Sequence, residues 1–229
     1  MSENLTYVYA ALLDVLGYRN RLDDDRKRGS LSFKDELQRA LDILTSINEV
    51  TYNYQAISDT IILTCSQQDG FLEFMNTLKN IFISFLKEEL FIRGGVAYSQ
   101  HFKSMHITYS HAVALAYEIE SKTSIFPRVV IDHNIILMLE SSQENHPIYE
   151  SGLICSQNGI YFLNIADKTN WEDIYKYAKS IYIRESNQIY GRENEFLKHV
   201  WFENFLFASP FANKDYDQYI PAINWHIDL

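Results

Sequence analysis

Apolar residues run almost unbroken from Leu5 to Leu16, and the run stops at Asp14-Val15-Leu16-Gly17. Such a run closed by a glycine turn predicts a buried strand with Asp14 at its C-terminal end. Charged residues crowd positions 19 to 29, which predicts a solvated loop or a frayed helix. Ser32 with Asp35 three residues on is a helix-capping signal, and Leu37, Leu41 and Leu44 then line one face. The stretch Thr51 to Cys65 is rich in β-formers but is interrupted by Ile57-Ser58-Asp59-Thr60. That pattern predicts a hairpin with Asp59 at or just after its tip.

Phe71 to Leu86 is the most hydrophobic helix-like stretch, and Glu73, Asn76, Lys79 and Asn80 give it a polar side, so it reads as a core helix. It leads into FIRGGVAYSQ, a strand whose paired Gly94 and Gly95 imply that another backbone or a ligand comes close. A short strand is expected around Met105 to Thr108, a helix over Ser110 to Ser121, and a strand over Pro127 to Ile131. Asp132 is placed to cap a helix running to about Ser142, and Gln157-Asn158-Gly159 is the turn of a hairpin within Leu153 to Ile165. Helices over about Asn170 to Glu185 and Arg192 to Ala208 follow, then an aromatic, Pro-broken tail from Ser209 to Leu229. The order predicts one α+β domain, with a core over about 5–165 and C-terminal helices and tail over 166–229.

Composition narrows the chemistry. A formal charge of -10 over 229 residues argues against a broad nucleic-acid-binding face, so a polyanionic ligand must meet a local cluster of cations. Asp14 interrupts the first apolar run, and neither a signal peptide nor a membrane span is supported. Cys65 and Cys155 have no metal-ligand spacing and read as reduced thiols, which fits the cytoplasm. His101, His106 and His111 recur at five-residue intervals, a spacing that stacks on no helix face, and no metal is assigned to them.

Asp14 and Asp59 are two carboxylates at the ends of apolar strands, where an unpaired buried charge would cost several kcal/mol. Hard oxygen ligands of this kind suit magnesium or manganese and leave coordination sites open for triphosphate oxygens. The turn at Leu16-Gly17-Tyr18 can present N–H groups to an anion. Arg93 is a cation on a largely apolar strand, explained equally by a phosphate or by a salt bridge.

Together, ALLDVLGY, ISDTIIL, FIRGGVAYSQ, YSHAVALAYEIES and FPRVVID resemble the class III nucleotidyl cyclases, in particular the small bacterial pyrimidine cyclases of antiphage (Pycsar) signalling. The matching pieces cover roughly residues 7 to 132 in the family's order, with a looser similarity at LKHVWFENF. The resemblance implies a ferredoxin-like antiparallel sheet with helices on one face. It implies two Mn2+ or Mg2+ ions held by Asp14 and Asp59, with the Val15 carbonyl as an extra ligand. It gives Leu16, Gly17 and Tyr18 to phosphate, Arg93 to the triphosphate, and the base-reading position to Gln55, with Tyr54 beside it. Gln55 stands where adenine-reading enzymes carry lysine, which points to UTP or CTP without choosing between them. The helix YSHAVALAYEIES departs from the family, with Ala114 and Glu118 where transition-state-stabilising Asn and Arg are expected.

The implied activity is a cyclase making a 3′,5′-cyclic pyrimidine nucleotide and pyrophosphate, with a uridylate cyclase favoured over a cytidylate cyclase. It would act as a head-to-tail homodimer with sites across the interface, and its product would signal to a separate effector during phage infection. Two other readings stand beside it. One is a catalytically degenerate nucleotide-binding regulator, and the other is a nucleotidyl transferase resembling a polymerase palm.

Overall fold

The computed structural model describes residues 6–104, 107–141 and 148–222. Contacts divide the chain into two compact units, residues 1–165 and 166–229.

The first unit contains β1 (Thr6–Val15), α1 (Tyr18–Arg28), α2 (Ser32–Leu41), β2 (Tyr52–Ile57), β3 (Thr60–Cys65), α3 (Phe71–Lys87) and β4 (Ile92–Lys103). It continues with β5 (Thr108–Ser110), α4 (His111–Lys122), β6 (Val129–Ile131), α5 (His133–Ser141), β7 (Ile154–Gln157) and β8 (Ile160–Leu163). The strands form one sheet in the order β2-β3-β1-β4-β6-β8-β7, with β5 paired to β4. Among the described residues only the β4–β6 pair is parallel. The four strands β2-β3-β1-β4 are all antiparallel, with helices in the β1-to-β2 and β3-to-β4 connections. This is the split βαβ order of a ferredoxin-like core, and the unit is α+β as expected.

The helices lie on both faces of the sheet, not on one. Tyr9 of β1 stacks on Phe74 and lies tilted against Phe71, both of α3, and α2 packs on α3. Leu12 has the opposite parity and packs with Ala97 against Ala116 of α4. The cause is local: Val8 through Leu13 of β1 are all buried, and a strand apolar on both faces needs cover on both.

The charged stretch after β1 is an ordered helix, α1, where the sequence suggested a loop or a frayed helix. Buried Asp25 fixes its end by accepting from Ser30 Oγ at 2.6 Å, Ser32 Oγ at 2.8 Å and Phe33 N at 3.0 Å. Ser32 therefore spends its hydroxyl on Asp25 and not on a cap, and the N-cap position of α2 is Leu31. The expected short strand falls slightly later, as β5, and Met105 and His106 lie outside the described residues. So do Ser142 and the tail beyond Ala222. The β7–β8 turn has Asn158 and Gly159 at φ 51° and 74°, the left-handed pair that a type I′ hairpin needs.

The second unit comprises α6 (Trp171–Ile189) and α7 (Glu193–Ala208), followed by irregular chain. Its core is aromatic: the Trp171 indole N–H donates to the Leu206 carbonyl at 2.8 Å, and the Tyr175 hydroxyl to the Asp217 carbonyl at 2.6 Å. The Glu203 carboxylate, otherwise a costly buried charge, accepts from the Ile220 N–H at 2.8 Å and from the Tyr219 N–H. Among the described residues, no helix is long and apolar enough to cross a membrane.

Candidate functional site

Hairpin geometry brings the two aspartates together. Ser58 and Asp59 are the two turn residues between β2 and β3, with Ser58 in the left-handed region at φ 59°. Asp14 pairs with Thr60, the residue after Asp59. The N–H of Val15, the last residue of β1, donates to the Asp59 carbonyl at 3.0 Å, locking the hairpin tip against the end of β1.

Asp14 also pairs with Arg93 on its other side. Arg93 Nε lies 3.3 Å from Asp14 Oδ2, Nη2 lies 2.6 Å from Glu120 Oε1, and Nη1 donates to the Ser124 carbonyl at 3.3 Å. The contact with Glu120 is an ion pair whose oxygen lies off the N–H direction, since Oε1 makes no hydrogen bond. Arg93 thus makes two ion pairs, one with Asp14 and one with Glu120.

Glu120 was not singled out in the sequence, although a signal for it exists. It lies four residues after Ala116 and eight after Ala112, on the buried stripe of α4. A carboxylate on such a stripe needs a partner. Burial pushes its pKa up, Arg93 opposes that shift, and the charges of Asp14 and Asp59 reinforce it. Both aspartates therefore bear on Glu120.

The paired glycines set this distance. A Cβ on Gly95 would lie 2.3 Å from the Ala116 carbonyl oxygen, 2.8 Å from Ile119 Cβ and 2.9 Å from the Glu120 nitrogen. A Cβ on Gly94 would lie 2.6 Å from the Leu12 carbonyl oxygen. The close approach expected at these residues is thus made by the backbones of α4 and β1.

At the turn after β1, Gly17 is left-handed at φ 77° and caps α1. The Leu16 N–H, like that of Val15, is already committed, donating to the Phe91 carbonyl at 2.9 Å. The N–H groups available to an anion there are those of the first turn of α1, beginning with Tyr18. The Tyr18 ring sits edge-on to Phe33 at 5.3 Å.

Gln55 and Tyr54 line a separate feature, a cleft of about 400 Å³ beside α4. Gln55 pairs with Ile62, which pairs with Leu12, so Gln55 shares the α4 face with Asp14, two strands away. Tyr54 alternates to the other face and borders the cleft at the sheet edge. Ala114, Tyr117, His101 and Lys103 also line it. Burial pushes the His101 pKa down, and Lys103 adds to that. Glu118 lies on the exposed side of α4, paired with Lys122 at 2.7 Å.

The chain is similar to nucleotide cyclase domains. One is the monomeric guanylyl cyclase domain of the RhoGC fusion protein from the aquatic fungus Blastocladiella emersonii, at 12% identity over 69% of this chain and 95% of that one, with a TM-score of 0.48. A bacterial light-regulated adenylyl cyclase matches at 15% identity over 79% of this chain and 58% of that one, with a TM-score of 0.49. The guanylate cyclase domain of RhGC from Catenaria anguillulae, solved in complex with GTP, matches at 11% identity over 71% and 98%, with a TM-score of 0.44. No family model and no curated protein matches. Likeness at this level assigns no role to any residue, so the functional reading rests on the residues of this chain.

The donor set fits a divalent cation. Asp14 and Glu120 pair with Arg93, the Asp59 backbone is bonded to Val15 next to Asp14, and Asp14 and Asp59 offer hard carboxylate oxygens. Among the described residues no cluster of three or more His, Cys, Asp or Glu side chains is arranged as a metal cage. Magnesium and manganese sites of the triphosphate type use one or two carboxylates and complete their shells with water and phosphate.

Proposed function

We propose that this protein is a nucleotide cyclase acting on UTP or CTP, releasing pyrophosphate and a 3′,5′-cyclic pyrimidine nucleotide that signals to a separate effector in antiphage defence. The observation that carries the reading is the convergence of Asp14, Asp59 and Arg93 at one end of a ferredoxin-like sheet, with the first turn of α1 beside them. Two Mn2+ or Mg2+ ions held by Asp14 and Asp59, with help from the Val15 carbonyl, would lower the pKa of the attacking 3′ hydroxyl and offset charge on the leaving pyrophosphate.

The protein's own groups have the remaining tasks. The α1 N-terminus at Gly17 and Tyr18 receives phosphate oxygens with oriented N–H groups. Arg93 faces the same space and can exchange a carboxylate for a phosphate oxygen without leaving the site wall. Gln55 offers a donor and an acceptor on one amide, enough to read the edge of uracil or cytosine. It lies in the cleft and not among the carboxylates. A head-to-tail homodimer would set the cleft of one protomer against the Asp14–Asp59 end of its partner, so activity should depend on dimer formation.

Incubation with each of the four NTPs and Mn2+, followed by chromatography, tests the reading. Cyclic UMP or cyclic CMP is the expected product, and Asp14→Ala and Asp59→Ala abolish it. Absence of a cyclic product from every NTP would sink the proposal. A second reading, a nucleotide-binding regulator without turnover, draws on one specific observation. Ala114 carries no polar side chain into the cleft and Glu118 faces solvent, paired with Lys122, and metal-dependent NTP binding without product would favour it.

A further inference from the structure

Arg93 touches two carboxylates in unlike ways. The distance to Asp14 is 3.3 Å and that to Glu120 is 2.6 Å, and the side chains are 22% and 5% exposed respectively. The Glu120 contact is both closer and better shielded from solvent, so its Coulomb attraction is the stronger. The Asp14 contact is long for a charge-assisted hydrogen bond and open to water. When a cation competes for this cluster, the Asp14 contact is the one that yields. Ser124, just past the C-terminal end of α4, adds a third tether through its carbonyl at 3.3 Å.

We propose that Glu120 is a positioning residue that holds the Arg93 guanidinium beside Asp14, so that an incoming divalent ion has only the weaker Asp14–Arg93 contact to break. The same hold keeps Arg93 at the site wall after Asp14 has turned to the ion. The inference rests on the metal-binding part of the proposed function and assigns a task that its cyclase chemistry does not specify. Gly95 is what makes it geometrically possible, because only a residue without Cβ lets the Glu120 backbone sit this close to β4.

Without Glu120 the guanidinium has Asp14 as its remaining carboxylate and competes harder for it. The experiment is a Mn2+ titration of the full chain, with free Mn2+ followed by EPR, and with folding of each variant checked by circular dichroism. Glu120→Gln removes the charge, while Glu120→Asp keeps it and withdraws it by one methylene. Both are expected to weaken Mn2+ binding about tenfold, the scale of one charge-assisted contact. Adding Arg93→Met to Glu120→Gln removes the competitor and restores binding to the wild-type level or tighter.

Wild-type binding in Glu120→Asp beside weak binding in Glu120→Gln would show that the field of the charge matters and not its position, overturning the inference. So would a double variant as weak as Glu120→Gln. No Mn2+ binding in any variant would overturn the metal-site reading and the inference together. The expected Mn2+ pattern without a cyclic product would refute the cyclase reading alone.

Discussion

Replacing Gly95 by alanine sets two physical effects against each other. Locally, alanine should help, because glycine inside a strand loses more backbone freedom on folding, and its removal is worth about 0.5–1 kcal/mol. In its packing, the new methyl group would lie 2.3 Å from the Ala116 carbonyl oxygen and 2.9 Å from the Glu120 nitrogen. Both are backbone atoms of a helix, and no side-chain rotation relieves them. Restoring ordinary contact requires α4 to move away from β4 by about 1 Å, which opens the Leu12, Ala97 and Ala116 cluster. Overpacking of this kind costs about 3 kcal/mol where the clash is with backbone. The net expectation is a loss of about 2 kcal/mol, or about 4–8 °C in Tm for a chain of this size.

Urea unfolding with an unchanged slope, together with a thermal melt, measures it. The same movement carries Glu120 away from Arg93, so Mn2+ affinity should fall with stability. A Gly95→Ala protein as stable as the wild type would refute the argument. It would mean that α4 is not held against β4 as closely as the geometry says, and the Glu120 contact would go with it.

Phe74 is fully buried and rings with Tyr9 and Tyr52, so Phe74→Ala should cost about 3–5 kcal/mol by urea denaturation; a smaller loss would mean that α3 can collapse onto the sheet. Hydrogen bonds from Ser30, then from Ser32 and Phe33 N, hold the Asp25 carboxyl below its usual pKa. A group so shifted contributes stability above its unfolded pKa and loses it as pH falls through the folded value. Asp25→Asn should therefore melt below the wild type at pH 7, and the gap should narrow below about pH 4; a gap independent of pH would show that the charge is irrelevant.

Most of the fold could be read in the chain because it is carried by short-range patterns. Leu5 to Leu16 announced a strand, Asn158-Gly159 a hairpin turn, and Ser110 supplies the α4 cap by accepting from the Val113 N–H at 3.1 Å. Misreadings came where a distant partner overrides local composition. The charged stretch after Gly17 is a helix because Asp25 finds Ser30, Ser32 and Phe33, and because Arg21 pairs with Glu36 and lies over the Phe33 ring. Leu16 looked like part of an anion turn, but Phe91, brought alongside by β4, takes its N–H.

The hardest feature to read was the partner of Arg93, and the reason is geometric. Sequence places Asp14 and Arg93 on strands, but their adjacency follows from the β1–β4 register, which no local pattern specifies. Glu120 lies on a third element whose depth is set by the missing side chain of Gly95. A carboxylate on a buried helical stripe and a glycine on the facing strand make one device: the glycine admits the helix and the helix delivers the charge. The same packing leaves the β2–β3 side of that face open beside Tyr117 and Ala114, where Gln55 lies. In the proposed head-to-tail dimer these two ends of one chain serve two different sites, and α4 packs against both, so a change that shifts this helix should alter both metal affinity at Asp14 and nucleotide selectivity at Gln55.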